Sequence, residues 1–571
     1  MTRSMFAWLA FLGVAVGSAQ ANYFMIKVNM GLRPNVKVEN AGGNVEVKPL
    51  KETDMGGPEK PLTVVVFVEY TKATPITNFP LPAGVHLTEL QHKWGRTYLL
   101  TDGQHVQIGP EGKPIVRPTV FQRYETKRKD LNIFKNKSPQ NYLDLAEYAL
   151  TNGLFPQFQA DMTDLIKSEP KDGPPAAAVK AYKQVQENLK QSLSRDDVGI
   201  DWKDQVSGKV DRSEHYALIY DSKSPAANIE ARNRLNRLER NLETFYYWWA
   251  LKGKALPAPD RRLVAVLIEE PANFKINHRA FDSVPLVADG FYARRDNLVV
   301  LSTNRVDGPS DPVYRRITEL IQGGWDLKNI MSPKWTLPRT MKASPIEIAY
   351  AQTMALVKKC LDEESEIATT SHQGSRQLLA ALGMLPRGVE MPEWIQFGWP
   401  AFFETPKFDP LIHTGAFWPT TGAPSWTYLV QWKVWEQEKQ LEEPEKAIRN
   451  VLQDTYFDRA KAENDDVLLL KARTMAWSFT YYLMERQLDG LLRYGEELAK
   501  LPRDLEFDGD IHLACFARAF NMARPDGTLD DAKLDALARE WYKFIAITPV
   551  QMPELLQEAS RQLRDRKDRP R

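Results

Sequence analysis

The spacing of apolar residues changes along this chain, and each spacing admits one kind of element. From Asn22 to about Pro118 apolar and polar residues alternate, as in Val36-Lys-Val38, Val45-Glu-Val47, Leu62 to Tyr70, Thr97 to Leu100 and His105 to Ile108. A period of two places successive side chains on opposite faces of a strand, so this stretch predicts an antiparallel β domain. Asp102-Gly103 between two alternating runs predicts a hairpin turn. Pro75, Pro80, Pro82, Pro110, Pro114 and Pro118 mark its loops and its end.

After Ser138 the period becomes helical. Leu143, Ala146 and Ala149/Leu150 share one helix face, a turn follows at Gly153, and Phe158, Met162 and Leu165/Ile166 share the next. This predicts one helical hairpin of tetratricopeptide type, with no second copy at a ~34-residue period. Lys171 to Pro175 and Val198 to Gly208 read as loops. From His215 the order is strand (Tyr216 to Asp221), long helix (Ala226 to Leu251), strand (Arg262 to Glu269), strand (Gly290 to Ser302) and further helices, an α+β pattern. A Trp/Pro/Gly-rich loop from His413 to Trp426 leads into helices through Pro549, and Arg561 to Arg571 reads as a frayed basic tail.

A length of 571 residues corresponds to roughly three or four domains. With 43% hydrophobic and 26% charged residues the chain buries sizeable cores and is not a disordered polymer. The 75 basic and 74 acidic residues leave a formal charge of +1, which argues against a nucleic-acid binder driven by bulk positive charge. Arg3, the apolar run Met5 to Val16 and Ala19-Gln-Ala21 form the pattern of a secretory signal peptide cleaved near Ala21. The expected location is therefore secreted, periplasmic or cell-envelope. No later stretch approaches the ~20 apolar residues of a spanning helix. Cys360 and Cys515 are the only cysteines, so folding rests on packed cores, and one long-range bridge or two buried thiols are both open.

Two segments carry the only constellation with chemical content: Ser371-His-Gln-Gly-Ser-Arg-Gln-Leu-Leu379, opening a helix that ends near Gly383, and Pro392-Glu-Trp-Ile-Gln-Phe-Gly-Trp-Pro-Ala-Phe-Phe-Glu404. Together they resemble the H-E-x-x-H-Q helix and the W-L-x-E-G-x-A-x-Y-F-E helix of gluzincin-type zinc peptidases. The likeness is greatest to an uncharacterised, domain-of-unknown-function family of secreted bacterial proteins with a peptidase-MA-like core. The resemblance runs from about Glu214 to Asn521, with Gly290 to Leu301 similar to the strand beside the cleft and Ala472 to Met484 similar to a later helix. Joined to the residue patterns above, it gives the expected architecture of a multidomain α+β protein: signal peptide 1–21, β-rich domain 22–118, helical segment 119–208 with the tetratricopeptide-like hairpin, gluzincin-like core 209–405 and a mainly helical domain 406–571.

In such enzymes two His at i and i+4 and a Glu from the second helix hold Zn²⁺, and the Glu after the first His is the general base. His372 matches the first ligand. Gln373 stands at the base position, Arg376 at the second ligand and Phe397 at the third; Gln396, one residue earlier, would be a poor substitute for a carboxylate. Gln373 cannot take a proton from water, Arg376 is a permanent cation with no acceptor, and Phe397 is apolar. The frame around them is kept: Trp394, Ile395, Gly398 and Phe402-Phe403-Glu404 fit the second helix.

The resemblance with these departures implies a secreted pseudopeptidase, a binding or scaffolding protein with no catalytic residue, no zinc and no other cofactor. His372, Arg376 and Glu404 are its candidate cleft-binding residues. Arg376 would attract a carboxylate, from a peptide or protein ligand or from an internal acid such as Glu404. Were the cleft to bind peptides, the strand Leu298 to Leu301 would offer its edge. A hydrolase with an unconventional site in the same cleft, drawing on the Trp418 to Trp426 loop, is the alternative, and an envelope or glycan-binding role for the β domain is a third. His278, His413 and His512 have no metal-like spacing, Asp362-Glu-Glu364 and Glu442-Glu443 read as solvated helix faces, and the aromatics Phe245 to Trp249 read as core. Nucleic-acid and membrane-spanning roles are not expected, and the sequence leaves the oligomeric state open.

Overall fold

The computed structural model describes residues 21–29, 36–41, 44–49, 63–78, 81–109, 111–133, 138–191, 193, 196, 208–220, 225–269, 274, 289–303, 311–339, 341–404, 421–550 and 553–567. They form a mixed α+β structure in which 16 helices surround antiparallel and mixed sheets. Among them no helix is long and apolar enough to cross a membrane.

The N-terminal strands are β1 (Ala21–Asn29), β2 (Val36–Ala41), β3 (Asn44–Pro49), β4 (Thr63–Tyr70), β5 (Lys72–Ile76), β6 (His86–His92), β7 (Gly95–Thr101), β8 (Val106–Gly109) and β9 (Ile115–Arg117). β1 is the central strand, antiparallel to β4 on one side and to β8 and β9 on the other. Both its faces are covered. Phe24, Ile26 and Val28 share a core with Met354, Ala355 and Cys360, while Tyr23 and Met25 share one with Val430, Val434 and Leu555. Burial on both faces explains the unbroken apolar run Tyr23 to Ile26, which shows no alternation and no strand signal of period two.

Two turn expectations are corrected. Asp102-Gly103 does not close a hairpin, because β7 pairs with β6 and β8 pairs with β1. It is a corner between sheets, held by Asp102 Oδ1 accepting from the N–H groups of Gln104, His105 and Val106 at 3.1, 2.7 and 2.9 Å. The hairpin is β6–β7, turning at Lys93-Trp94. Gly95 there has φ +127°, and a Cβ on it would sit 2.1 Å from the Met331 carbonyl oxygen. Pro75 lies inside β5, an edge strand where its missing N–H is tolerated, rather than in a loop.

Helices α1 (Val120–Ile133), α2 (Pro139–Thr151), α3 (Phe155–Lys167) and α4 (Gly173–Leu189) follow. α2 and α3 pack through the predicted faces around Gly153, whose φ is +72°. α4 starts inside the stretch read as a loop, since Pro174 and Pro175 occupy its first turn, where no N–H is needed.

The second sheet has the order β10-β11-β12-β14-β13, from β10 (Lys209–Arg212), β11 (Tyr216–Tyr220), β12 (Leu263–Ile268), β13 (Gly290–Ala293) and β14 (Leu298–Ser302). β11, β12 and β14 run parallel, and α5 (Pro225–Leu251) makes the crossover between the first two. Gly290 to Ser302 is thus a hairpin rather than one strand. Asn297 takes the left-handed conformation (φ +52°) and its side chain accepts from the Tyr292 hydroxyl at 2.7 Å. β14 is flanked by β12 and β13, so the expected open edge at Leu298 to Leu301 does not exist.

After α6 (Asp311–Gln322) comes α7 (Pro345–Ala381), a helix of 37 residues, about 55 Å long. It begins at a Ser344/Glu347 capping box, so Ser371 lies deep inside it instead of opening it. Its first half covers the N-terminal sheet, and its second half packs on α5, β13 and β14. Next come α8 (Glu393–Phe403), α9 (Trp426–Gln437), α10 (Pro444–Leu452), α11 (Thr455–Glu463), α12 (Asp466–Arg486), α13 (Leu488–Leu498), α14 (Gly509–Ala519), α15 (Asp531–Ile547) and α16 (Pro553–Lys567). α16 includes Arg561, paired with Glu558, so this part of the supposed tail is helical. Cys360 and Cys515 are two free, buried thiols.

Candidate functional site

α7 places His372, Gln373, Arg376 and Gln377 on adjoining faces, and α8 brings Gln396, Phe397 and, at its C-terminal cap, Glu404 against them. The position of α8 is set from two sides. Its N-terminus starts at Pro392, which has no capping side chain, and the half-buried Asp454 substitutes by accepting from the N–H groups of Glu393 (2.5 Å) and Trp394 (2.9 Å). Its middle lies so close to α12 that a Cβ on Gly398 would be 2.2 Å from Thr480 Oγ1 and 2.7 Å from the Ala476 carbonyl oxygen.

His372, Arg376 and Phe397 converge. The His372 ring, fully buried, lies 5.2 Å from the Phe397 ring. Phe397 is surrounded by Tyr428 at 5.7 Å, Phe457 at 6.2 Å and the Arg473 guanidinium at 5.7 Å. Arg376 donates to Gln373 Oε1 and Gln396 Oε1, both at 3.4 Å, and stacks 5.3 Å over the Tyr292 ring. Glu404, expected as an internal acid for Arg376, instead lies 3.2 Å from His372 Nδ1.

Gln373 is committed to structure, donating to the Gly290 carbonyl at 3.2 Å. Gln377, at the position of the motif's closing Gln, donates to the carbonyls of Val264 (2.8 Å) and Asn297 (2.6 Å) and so ties α7 to β12 and to the β13–β14 turn. The motif does not single out Tyr292, Tyr428 or Arg473. They arrive from β13, α9 and α12; the resemblance sets the strand Gly290 to Leu301 beside the cleft and includes Ala472 to Met484 as a later helix, but it picks out none of these three side chains, and nothing in it points to α9.

The electrostatics follow from burial. Desolvation pushes the His372 pKa below its ordinary value, the Glu404 carboxylate opposes this, and Arg376 and Arg473 reinforce it. The ring is therefore neutral, with Nδ1–H donating to Glu404. Nε2 carries a lone pair that is buried without a hydrogen-bond partner. Burial likewise raises the Tyr428 hydroxyl, with Glu404 adding to the effect.

These residues do not fit a zinc ion. His372 Nε2 is one donor where at least three are needed. Gln373 is engaged elsewhere, Arg376 would repel a cation, and Phe397 occupies the third position with a ring. Among the described residues no group of three or more His, Cys, Asp and Glu is placed to hold a metal. His278, His413 and the loop from 405 to 420 lie outside the described residues. His512 is buried in α14, Glu363 pairs with Lys93, and Glu442 accepts from Tyr456 and Asn450, all structural roles. Phe245 to Trp249 are core.

No curated protein and no solved structure matches the chain. Residues 366–503, from the second half of α7 through α8 to just beyond α13 and so containing His372, Arg376, Phe397 and Glu404, match a family model described as a protein of unknown function (DUF1570).

Proposed function

We propose that this chain is a secreted, non-catalytic protein with a gluzincin-like core, a pseudopeptidase whose former metal centre has become packed interior and whose role is binding or scaffolding. One observation carries the reading. The three positions that the motif comparison assigns to a metal meet in space, and protein side chains fill the place where they meet. Phe397 supplies apolar contact there, and Gln373, with no basic group, is tied to Gly290. The four-part layout belongs to this proposal: β-rich 22–118, helical 119–208, core 209–405 and helical 406–571. Within it a peptide or protein partner is held outside the packed centre, since His372, Arg376 and Phe397 are all buried. Export is part of the same proposal, and cleavage near Ala21 keeps Tyr23 to Val28 of the central strand intact.

A second reading has an observation of its own. Glu404 orients His372 and leaves Nε2 as a lone pair, the arrangement of a carboxylate-assisted general base. The burial of that nitrogen favours the structural role. Both are tested on the purified protein by metal analysis and a peptide and ester hydrolysis screen. The expected result is substoichiometric zinc and no turnover. Stoichiometric zinc lost in His372→Ala overturns the proposal, and turnover lost in both His372→Ala and Glu404→Gln supports the second reading.

A further inference from the structure

His215 lies far along the sequence from the packed centre and outside the matched family segment, yet its backbone and both its ring nitrogens are engaged. Its N–H donates to Glu239 Oε1 on α5 at 2.7 Å, and its carbonyl accepts from Leu263 of β12 at 2.9 Å. Its ring lies between two acceptors. Nδ1 is 2.9 Å from Glu239 Oε2, and Nε2 is 3.1 Å from the carbonyl oxygen of Leu189, the last residue of α4. A neutral imidazole has one N–H and can satisfy only one of these; an imidazolium has two and satisfies both. Glu239 is fixed as an acceptor, because Ser213 Oγ also donates to it at 2.5 Å. The Leu189 carbonyl lies at a helix C-terminus, where the helix dipole favours a cation.

We infer that His215 is a protonation-dependent clamp holding the C-terminal end of α4 to α5 and the second sheet. The residue is only 3% exposed, but it lines a groove of about 720 Å³ that is open to solvent between the end of α4 and α5. The charged groups around it come from all three sides: Lys190 from the end of α4, Glu214 from the turn before β11, and Arg237, Glu239, Arg240 and Glu243 from α5, while the buried Tyr216 hydroxyl also feels the Glu239 charge. Burial disfavours the charged ring, and the bonds to Glu239 and Leu189 with the charge of Glu214 outweigh it, so its pKa lies above the ordinary 6.5. The sign follows. The clamp is fully made below pH 6.5 and is lost as pH rises through the raised folded-state value, when Nε2–H is given up and Leu189 loses its partner.

The test uses the intact wild-type chain. Exchange of the histidine ring C2–H, read by mass spectrometry from pH 4 to 9, gives each histidine its own titration midpoint. His215 should titrate above 6.5, with His92, pushed down to about 4, as an internal contrast. In parallel, amide exchange of residues 186–190, corrected for intrinsic base catalysis, should accelerate across the same midpoint, about tenfold for each unit by which that midpoint exceeds 6.5. In His215→Gln this step should vanish. A His215 midpoint at or below 6.5 overturns the clamp, as does an α4 terminus whose corrected exchange is equally slow on both sides of the midpoint. Both wild-type measurements stand if the variant fails to fold.

Discussion

Installing a zinc ligand set at the packed centre is the sharpest probe of whether His372, Arg376 and Phe397 occupy ligand positions. The variant is Gln373→Glu, Arg376→His and Phe397→Glu together. Phe397 is 2% exposed and touches three aromatic rings and the Arg473 guanidinium, so losing its ring should cost about 3 to 5 kcal/mol, as for truncation of other buried aromatics. Removing Arg376 from the face of Tyr292 adds roughly 0.5 to 2 kcal/mol. Zinc that binds only the folded variant returns about 2.7 kcal/mol at 100 times its Kd and about 4.1 at 1,000 times. At roughly 2 to 4 °C per kcal/mol, the metal-free variant should melt about 7 to 28 °C below the parent and recover about 5 to 16 °C with zinc. Differential scanning calorimetry of parent, triple variant and Phe397→Ala, each with and without Zn²⁺, measures this. Recovery confined to the triple variant is the expected pattern. A folded triple variant whose transition zinc does not move would refute the convergence argument, because three correctly placed donors bind zinc whether or not the site can turn over a substrate.

Two further perturbations test the frame around the centre. Gly398→Ala should destabilise by about 1 to 3 kcal/mol or more, because its Cβ would overlap Thr480 and the Ala476 carbonyl, whereas Gly103→Ala meets nothing within 4 Å and should lose only what its φ of +74° imposes; equal urea midpoints for the two would be inconsistent with close α8–α12 packing. Burial pushes both His92 and His105 down to about 4, and His92 accepts from Trp94 N–H on Nδ1 while Nε2–H donates to Thr97. Their folded-state values lie below 6.5, so the stability each contributes is present above pH 6.5 and is lost as pH falls towards 4, at about 1.4 kcal/mol per pH unit for each histidine. Urea unfolding between pH 4 and 8 should show this slope, reduced in His92→Gln; an unchanged slope in that variant would remove His92 from the account.

Elements whose signal is local are legible in the order of residues. The long helix α5, read as Ala226 to Leu251, spans Pro225–Leu251 because its stripe of Leu235, Leu238, Leu242 and Phe245 repeats within a few turns. The α2–α3 hairpin buries the residues its periodicity selects, since one turn at Gly153 decides how the two helices meet. The motif positions on α7 and α8 are legible for the same reason: one turn of helix separates His372 from Arg376, and Phe397 stands in a single short helix.

What depends on distant partners is not legible. β1 shows no alternation because its two faces are buried by elements more than 300 residues away, Met354 on one side and Val430 on the other. Asp102-Gly103 has the composition of a hairpin, yet the strands it joins pair with β6 and β1, a choice made by the sheets. The centre shows the same division. The sequence alone determined that Gln373, Arg376 and Phe397 offer no carboxylate, imidazole or thiolate, because that is a matter of which side chains stand at which helical positions. Only the tertiary structure decided what surrounds them: Glu404 on His372 rather than on Arg376, Tyr292 beneath the guanidinium, and Tyr428 and Arg473 around Phe397. Those contacts join five separate elements, and their energies arise from burial and charge pairing that exist only once the elements have packed.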